Sequence, residues 1–432
     1  LSYRLPGADN APPAKERTAE AQPLRGKLVV SDGTASKLPG SWPRFRGANF
    51  DNIAKVDVEL ARSWPKTGPP VLWSIDVGEG YAGVVVLNGR VYLIDYNKAD
   101  AADAIKCLSL ADGREIWRYS YPVKVKRNHG MSRTVPAVTD KYLVTIGPKC
   151  HVTCLDAATG EFHWMLDLVN QFGSTVPPWY AGQCPLIEDG RVILAPGGDT
   201  LMIAVDCNSG EVIWKSANPR DWKMTHSSIV PAEFAGKKMY VYCGSGGVAG
   251  VSAGDGSLLW DTTEWKIRIA NIPSPLVAGE GLIFLSGGYN SGSMMLRLHK
   301  QSEDITAETA FKLAPEVFGS PQHTPILYEG YIYGVRPDGQ LCCLDRTGKI
   351  VWTSSSAHKF GLGPYMIING LIYLLNDTGT LTLTRATPDG YEQLAQAKVL
   401  DGPESWGPMA VAEGRLIVRD LNRMLCLDIA AR

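Results

Sequence analysis

The chain has 432 residues with 43 Lys and Arg against 44 Asp and Glu, a formal net charge of −1 that excludes the strong basic field of a nucleic-acid binder. No apolar run reaches the roughly 18 residues of a membrane-spanning helix, and 45% hydrophobic content with 45 Gly and 12 Trp suits a large core cut by many tight turns. The length exceeds that of one ordinary domain unless the architecture is a repeat or a large β assembly.

Residues 1–40 are polar and rich in Pro and Ala, and read as an extended arm or linker. Residues 41–68, "SWPRFRGANFDNIA" followed by "SWPKTGPP", read as a lead-in segment packing on the domain formed by residues 69–432. From residue 69 one phrase recurs: "LADGREIW" (110–117), "AATGEFHW" (157–164), "CNSGEVIW" (207–214), "AGDGSLLW" (253–260) and "DRTGKIVW" (345–352). The Trp residues stand 47, 50 and 46 apart, then 92, twice 46, so the unit between Trp260 and Trp352 has lost its Trp. Such a period marks stacked supersecondary units. Within each unit, short runs of alternating polarity separated by turn residues predict antiparallel strands, with Gly supplying the positive φ of a tight turn and Trp ending the outermost strand.

The chain holds eight units, with first strands near Tyr81, Thr134, Gln183, His226, Pro273, His323, Gly363 and Trp406. The eighth stops at "MLCLDIAAR" without its Trp strand, and "PPVLWSIDVG" (69–78) supplies one at the other end of the chain. The expectation is an all-β, eight-bladed β-propeller of four-stranded blades over 69–432, its last blade completed by the N-terminal strand.

The nine Cys residues do not form a CxxCH haem site or a paired CxxC zinc site. Cys107, Cys154, Cys343 and Cys426 share one local frame and read as small buried strand residues. Cys342 and Cys343 are neighbours on a strand, so their side chains face opposite ways and do not favour a disulfide. The run "SGGYNSGS" (286–293) lacks the following helix of a phosphate loop and reads as a hairpin of blade five.

The phrase "LDAATGEFHW" resembles the repeat of pyrroloquinoline-quinone (PQQ) dehydrogenases and of the outer-membrane-assembly propeller lipoprotein, over about 69–432. The opening "SWPRFRGANFDNIA" with "SWPKTGPPVLW" is similar to the secreted PQQ-like propeller proteins of planctomycetes and related bacteria. The resemblance implies a periplasmic or secreted protein and eight blades, and assigns no reaction. It also implies what a PQQ site would need: a Glu/Asn/Asp set for calcium, a stacking Trp and long insertions between blades. With no acidic residue at the aligned mouth position, PQQ is disfavoured as a cofactor.

Propellers gather ligands where loops enter the innermost strands. With the blades aligned on the Pro at that point, the mouth position holds Tyr81, Gln183, His226, His323 and Trp406, a set that a purely structural repeat does not require. The preceding loops add Arg127, Asn128, His129 and Arg133; Trp179 and Tyr180; Trp222 and Lys223; Arg268 and Asn271; and Gln322. Cations, aromatic faces and amides around one axis suit an anionic small molecule or carbohydrate, such as a uronic acid.

Three chemistries compete on those residues. His129, His226 and His323 could hold a divalent metal, with Gln322 or Gln183 beside them. A His or Tyr81 could act as general base while Arg133 or Arg268 neutralises a carboxylate, with Trp179, Trp222 and Trp406 stacking on a ring. Such an enzyme would be lyase- or hydrolase-like rather than a PQQ oxidoreductase. Alternatively the ring binds without reacting, the chain is a PQQ-dependent dehydrogenase-like quinoprotein as the resemblance allows, or it is a protein-interaction scaffold like the assembly lipoprotein. A closed ring is expected to be a monomer that neither binds nucleic acid nor spans a membrane.

Overall fold

In the computed structural model, which describes residues 24–302 and 304–431, each repeat folds into one antiparallel sheet and eight such sheets close into a ring. The protein is an eight-bladed β-propeller. Blade one runs Val85–Leu87, Arg90–Asn97, Ala102–Ser109 and Glu115–Pro122. Blade eight takes Ala410–Ala412, Arg415–Arg419 and Arg423–Asp428 from the C-terminal end and Val71–Asp76 from the other. Trp73 pairs with Cys426 across that seam, so the ring closes as the missing strand predicts. Residues 1–23 of the expected arm lie outside the described residues. Further along, Lys27–Val30 pairs antiparallel on the outer edge of blade one, Val30 opposite Trp117.

Every blade repeats one rung. In blade one it runs Val85, Tyr92, Cys107, Trp117 from axis to rim; in blade four Val230, Val241, Gly250, Trp260; in blade eight Ala410, Ile417, Cys426, Trp73. A bulge follows the Trp pair in each case, which twists the outer strand and lays the indole across its small partner. This is why the third position opposite a Trp holds Cys, Ala or Gly: a Cβ on Gly250 would stand 2.1 Å from Trp260 Nε1. All nine cysteines are free and buried, and Cys342 and Cys343 enter two different core clusters.

The indoles also join neighbouring blades. Trp73, Trp117, Trp164 and Trp352 each donate from Nε1 to a carbonyl of the next blade, at Leu110, Ala158, Cys207 and Thr387, over 2.8–3.1 Å. The turn glycine of that next blade lies under the ring: Gly113 beneath Trp73, Gly160 beneath Trp117, Gly210 beneath Trp164. In blade five Phe311 takes the place of the lost Trp, and Gly348 of blade six packs on it. The core lies between blades as clusters of buried apolar side chains, the largest spanning blades seven, eight and one.

The segment around residues 42–54 crosses the axis. Trp42 bridges to Val86 of blade one, the Pro43 carbonyl accepts from Val138 of blade two, and Arg44 donates to Ile187 O of blade three. Arg46 donates to Pro325 O beside blade six, and Ile53–Ala54 pairs parallel with blade seven at Ile367 and Ile368. Five blades thus hold one strap across the channel. Arg46 is fully buried there, and burial lowers its guanidinium to about 10.

Candidate functional site

The inner rung residues are Val85, Ala137, Leu186, Val230, Leu276, Ile326, Met366 and Ala410. Four residues before each stand Tyr81, Arg133, Gly182, His226, Ile272, Gln322, Leu362 and Trp406, and all eight line one axial cavity of about 510 Å³. That volume falls in the range of small-molecule sites. Phe45 of the strap also lines it.

Two residues further in, each blade carries a small residue or proline: Gly83, Val135, Cys184, Ser228, Ser274, Thr324, Pro364 and Pro408. Here the blades are stitched side by side. Val135 N donates to Cys184 Sγ, Cys184 N to Ser228 Oγ, Ser228 N to Ser274 Oγ and Ser274 N to Thr324 Oγ1, over 2.8–3.2 Å. Cys184 and Pro408 of this ring reach the cavity wall. These bonds link blades two to six just behind the mouth.

Half of the sixteen residues singled out from sequence line this cavity: Tyr81, His129, Arg133, Trp179, His226, Gln322, His323 and Trp406. The other eight stand elsewhere. Alignment on proline places Gln183 at the mouth, but the ladder places it one residue further in, and one step in a strand turns a side chain to the other face. Its amide instead pairs with the Ala195 backbone, at 3.2 and 2.9 Å, in the blade-three wall. Trp222 is buried against Gly244, Gly246 and Gly247 of blade four, while Lys223 pairs with Asp221 outside. Tyr180 donates to Lys126 O and lies beneath Lys149. Arg127 pairs with Glu79 at 2.6 Å, Asn128 is half-buried in the same loop, and Arg268 is exposed. Asn271 is buried and its carbonyl accepts from His226 N.

Several lining residues escaped the sequence reading. Glu404 comes from the loop before Trp406, two residues short of the mouth position. Gly288, Tyr289 and Asn290 are the tip of the "SGGYNSGS" hairpin, which is the blade-five turn expected but also part of the wall.

On the blade-eight to blade-two side the polar groups interlock. Tyr81 OH donates to Glu404 Oε2 at 2.7 Å and lies 3.4 Å from His129 Nδ1, which is 3.8 Å from the same carboxylate oxygen. Trp406 stacks on Tyr81 at 5.3 Å between centroids, and His129 meets both rings edge-on. Trp406 is pinned by Nε1 donating to Asp377 Oδ1 at 2.7 Å. His129 sits at φ 56, a left-handed backbone that Arg133 braces by donating from Nη2 to the His129 carbonyl at 3.1 Å.

Arg133 is half-buried, its guanidinium carbon 5.5 Å from the Tyr81 ring centroid. Burial lowers it to about 10, its Nε has no hydrogen-bond partner, and no ion pair holds it among the described residues. Burial, with Arg133 nearby, lowers His226 to about 4; burial and Arg46 do the same to His323. Both imidazoles are neutral at pH 7, and Nε2 of each is buried without a partner.

No group of three or more His, Cys, Asp or Glu side chains among the described residues is arranged to hold a metal ion, and His129, His226 and His323 do not form one. Among the described residues the wall offers a single carboxylate, Glu404, already engaged by Tyr81. A calcium ion needs several oxygen ligands, so this donor set does not fit a calcium–quinone pair.

Fold and cavity together define a propeller with a walled cavity on its axis. The chain belongs to the PQQ-type repeat family described as "Outer membrane protein assembly factor BamB", whose profile matches residues 101–354, more than half of its length. It is 21% identical over 272 residues to the outer membrane protein assembly factor BamB of Moranella endobia (strain PCIT), covering 61% of this chain and 67% of that one. The crystal structure of BamB from Moraxella catarrhalis superposes with a TM-score of 0.58 at 15% identity, over 83% of this chain and 99% of that one. The computationally designed Ika8 protein gives 0.55 at 11% identity, over 83% and 100%. These are likenesses of fold. No helix among the described residues is long and apolar enough to cross a membrane.

Proposed function

We propose that this protein is an exported, monomeric propeller that binds a small acidic carbohydrate in its axial cavity. One observation carries the reading: Arg133 is a half-buried cation, its Nε buried without a hydrogen-bond partner and with no carboxylate partner among the described residues, set beneath an aromatic wall. A partly desolvated charge without a counter-charge carries a cost, and an incoming carboxylate would supply a charge-assisted hydrogen bond. Tyr81, Trp179, Tyr289 and Trp406 offer flat faces for the apolar side of a sugar ring, while Gln322, Asn290, His226 and His323 offer hydroxyl partners. Export and a periplasmic or outer-membrane-associated setting are supported by the family. A ring closed by its own N-terminal strand needs no second chain to complete it.

Calorimetric titration tests this. Galacturonate should bind more tightly than galactose, and Arg133→Gln should erase the preference while the protein remains folded. Equal affinity for the acid and its neutral parent, or no binding of either, would defeat it.

A further inference from the structure

We propose that the cavity cleaves 4-linked uronate chains by β-elimination, with His129 removing the proton, Tyr81 protonating the leaving oxygen and Arg133 neutralising the carboxylate. This rests on the acidic-sugar reading and assigns it a reaction.

The starting point is what the wall lacks. Hydrolysis of a glycosidic bond ordinarily uses two carboxyl groups on either side of it, and among the described residues this cavity has Glu404 alone. Elimination needs different groups: a cation on the carboxylate to acidify the neighbouring C–H, a base for that proton and an acid for the departing oxygen. The proton lies on the carbon attached to the carboxylate, so base and acid must stand beside the cation. They do. Tyr81 lies over the Arg133 guanidinium, and His129 lies 3.4 Å from the Tyr81 hydroxyl and is braced through its own carbonyl by Arg133.

Nδ1 of His129 faces two oxygens, the Tyr81 hydroxyl and Glu404 Oε2 at 3.8 Å. With the imidazole proton on Nδ1 between them, Nε2 holds the lone pair and serves as base. Burial and the hydrogen bond to Glu404 raise the Tyr81 phenol well above its ordinary value, which keeps its proton in place for donation.

The step balances without a co-reactant. His129 Nε2 takes the proton from C5, and the C5–H electron pair becomes the C4=C5 double bond. The C4–O bond breaks, and its oxygen leaves with the phenolic proton of Tyr81. This leaves an imidazolium and a phenolate 3.4 Å apart. Transfer of the Nδ1 proton to the phenolate oxygen restores Tyr81 and leaves a neutral imidazole carrying its proton on Nε2. Exchange of that proton with solvent on product exit returns it to Nδ1 and frees Nε2 for the next cycle. No water is added across the bond and nothing is oxidised or reduced.

The full chain would be incubated with galacturonate, glucuronate and mannuronate oligosaccharides. Ultraviolet absorbance of the unsaturated product and product mass would be followed, with binding measured separately by calorimetry. The expected result is an unsaturated product from at least one series. His129→Gln and Tyr81→Phe, each checked for an unchanged melting temperature, should lose at least about 100-fold in kcat while affinity changes only a few-fold. Tyr81→Phe keeps the ring that stacks on Trp406. Binding without cleavage in all three series overturns the elimination and leaves the binding reading standing. A saturated product, shorter by hydrolysis, overturns it as well, as does wild-type turnover in both variants. Loss of all binding removes both readings together.

Discussion

The Tyr81 hydroxyl donates to Glu404 Oε2 over 2.7 Å, tying the first blade to the loop that leads into the eighth. The seam where the two ends of the chain meet is thus also one wall of the cavity. Glu404 places a negative charge near the site that Arg133 makes attractive to anions, with about a fifth of its side chain exposed. Glu404→Gln keeps an acceptor for the phenol and removes the charge. Affinity for an acidic sugar should rise roughly threefold to tenfold, the effect of about 1 kcal/mol between partly screened charges. Affinity for the neutral parent sugar should stay constant. Parallel titrations of the two sugars check this.

Ring closure rests on Trp73, whose indole crosses from blade eight to the Leu110 carbonyl at 3.0 Å and covers Gly113. Truncating a buried Trp to Ala costs roughly 3–5 kcal/mol. Trp73→Ala should lose that much in urea unfolding and make the seam the first site of proteolysis. Ile213→Ala, at an exposed position on the outer strand of blade three, should stay within about 0.5 kcal/mol of wild type.

The contrast between these positions explains what the sequence made legible. Trp and Gly at a fixed offset are demanded by contacts made in one blade after another, so the period showed the fold, the closure and the loss of Trp from blade five. The mouth is set by a register that proline marks inconsistently. Pro136, Pro185, Pro275 and Pro325 directly precede the inner rung, whereas Pro364 and Pro408 stand one residue earlier. Alignment on proline thus found Trp406 but put Gln183 where Gly182 stands, and His323 where Gln322 stands. Tyr81 and His226, in blades without that proline, fell on the correct rung. His323 reaches the cavity even so. Glu404 enters from a loop between blades, and Tyr289 and Asn290 from a hairpin tip inside blade five, at positions the Trp and Gly period does not mark.

The same rung predicts the cost of adding one methyl group. At Gly250 a Cβ would meet Trp260 Nε1 at 2.1 Å and Cε2 at 2.4 Å, and the indole is 5% exposed with little room to retreat. Gly250→Ala should destabilise by about 1–3 kcal/mol through overpacking. Gly254→Ala is the control: its nearest neighbour would be Ser252 Oγ at 3.7 Å, so the change should be neutral or stabilise by up to about 1 kcal/mol. Chemical denaturation midpoints of the two variants should fall on opposite sides of, or one well below and one near, the wild-type value.

Stability should peak near pH 6.5, because buried groups act on it from both sides. His226 and His323 fall from 6.5 to about 4 through burial, so between those values the unfolded chain binds two protons that the folded one does not. Asp103 works in the opposite sense. Burial raises it from 3.8 to about 8, reinforced by the Asp95 charge, so the folded state holds one proton there that the unfolded state has released. From pH 4 to 6.5 the difference is two minus one, and stability should climb by about 1.4 kcal/mol per pH unit. His151, lowered chiefly by burial, adds to that slope. From pH 6.5 to 8 only Asp103 remains, and stability should fall at about the same rate. The lowered carboxylates, such as Asp255 at about 2, act below this window, and the raised buried thiols, such as Cys184 at about 11, act above it. Asp103→Asn should flatten the alkaline limb, and His226→Gln with His323→Gln should reverse the acid one. Urea unfolding at half-unit pH intervals measures both slopes, and a wild-type curve that rises steadily from pH 6.5 to 8 would contradict the assignment of Asp103.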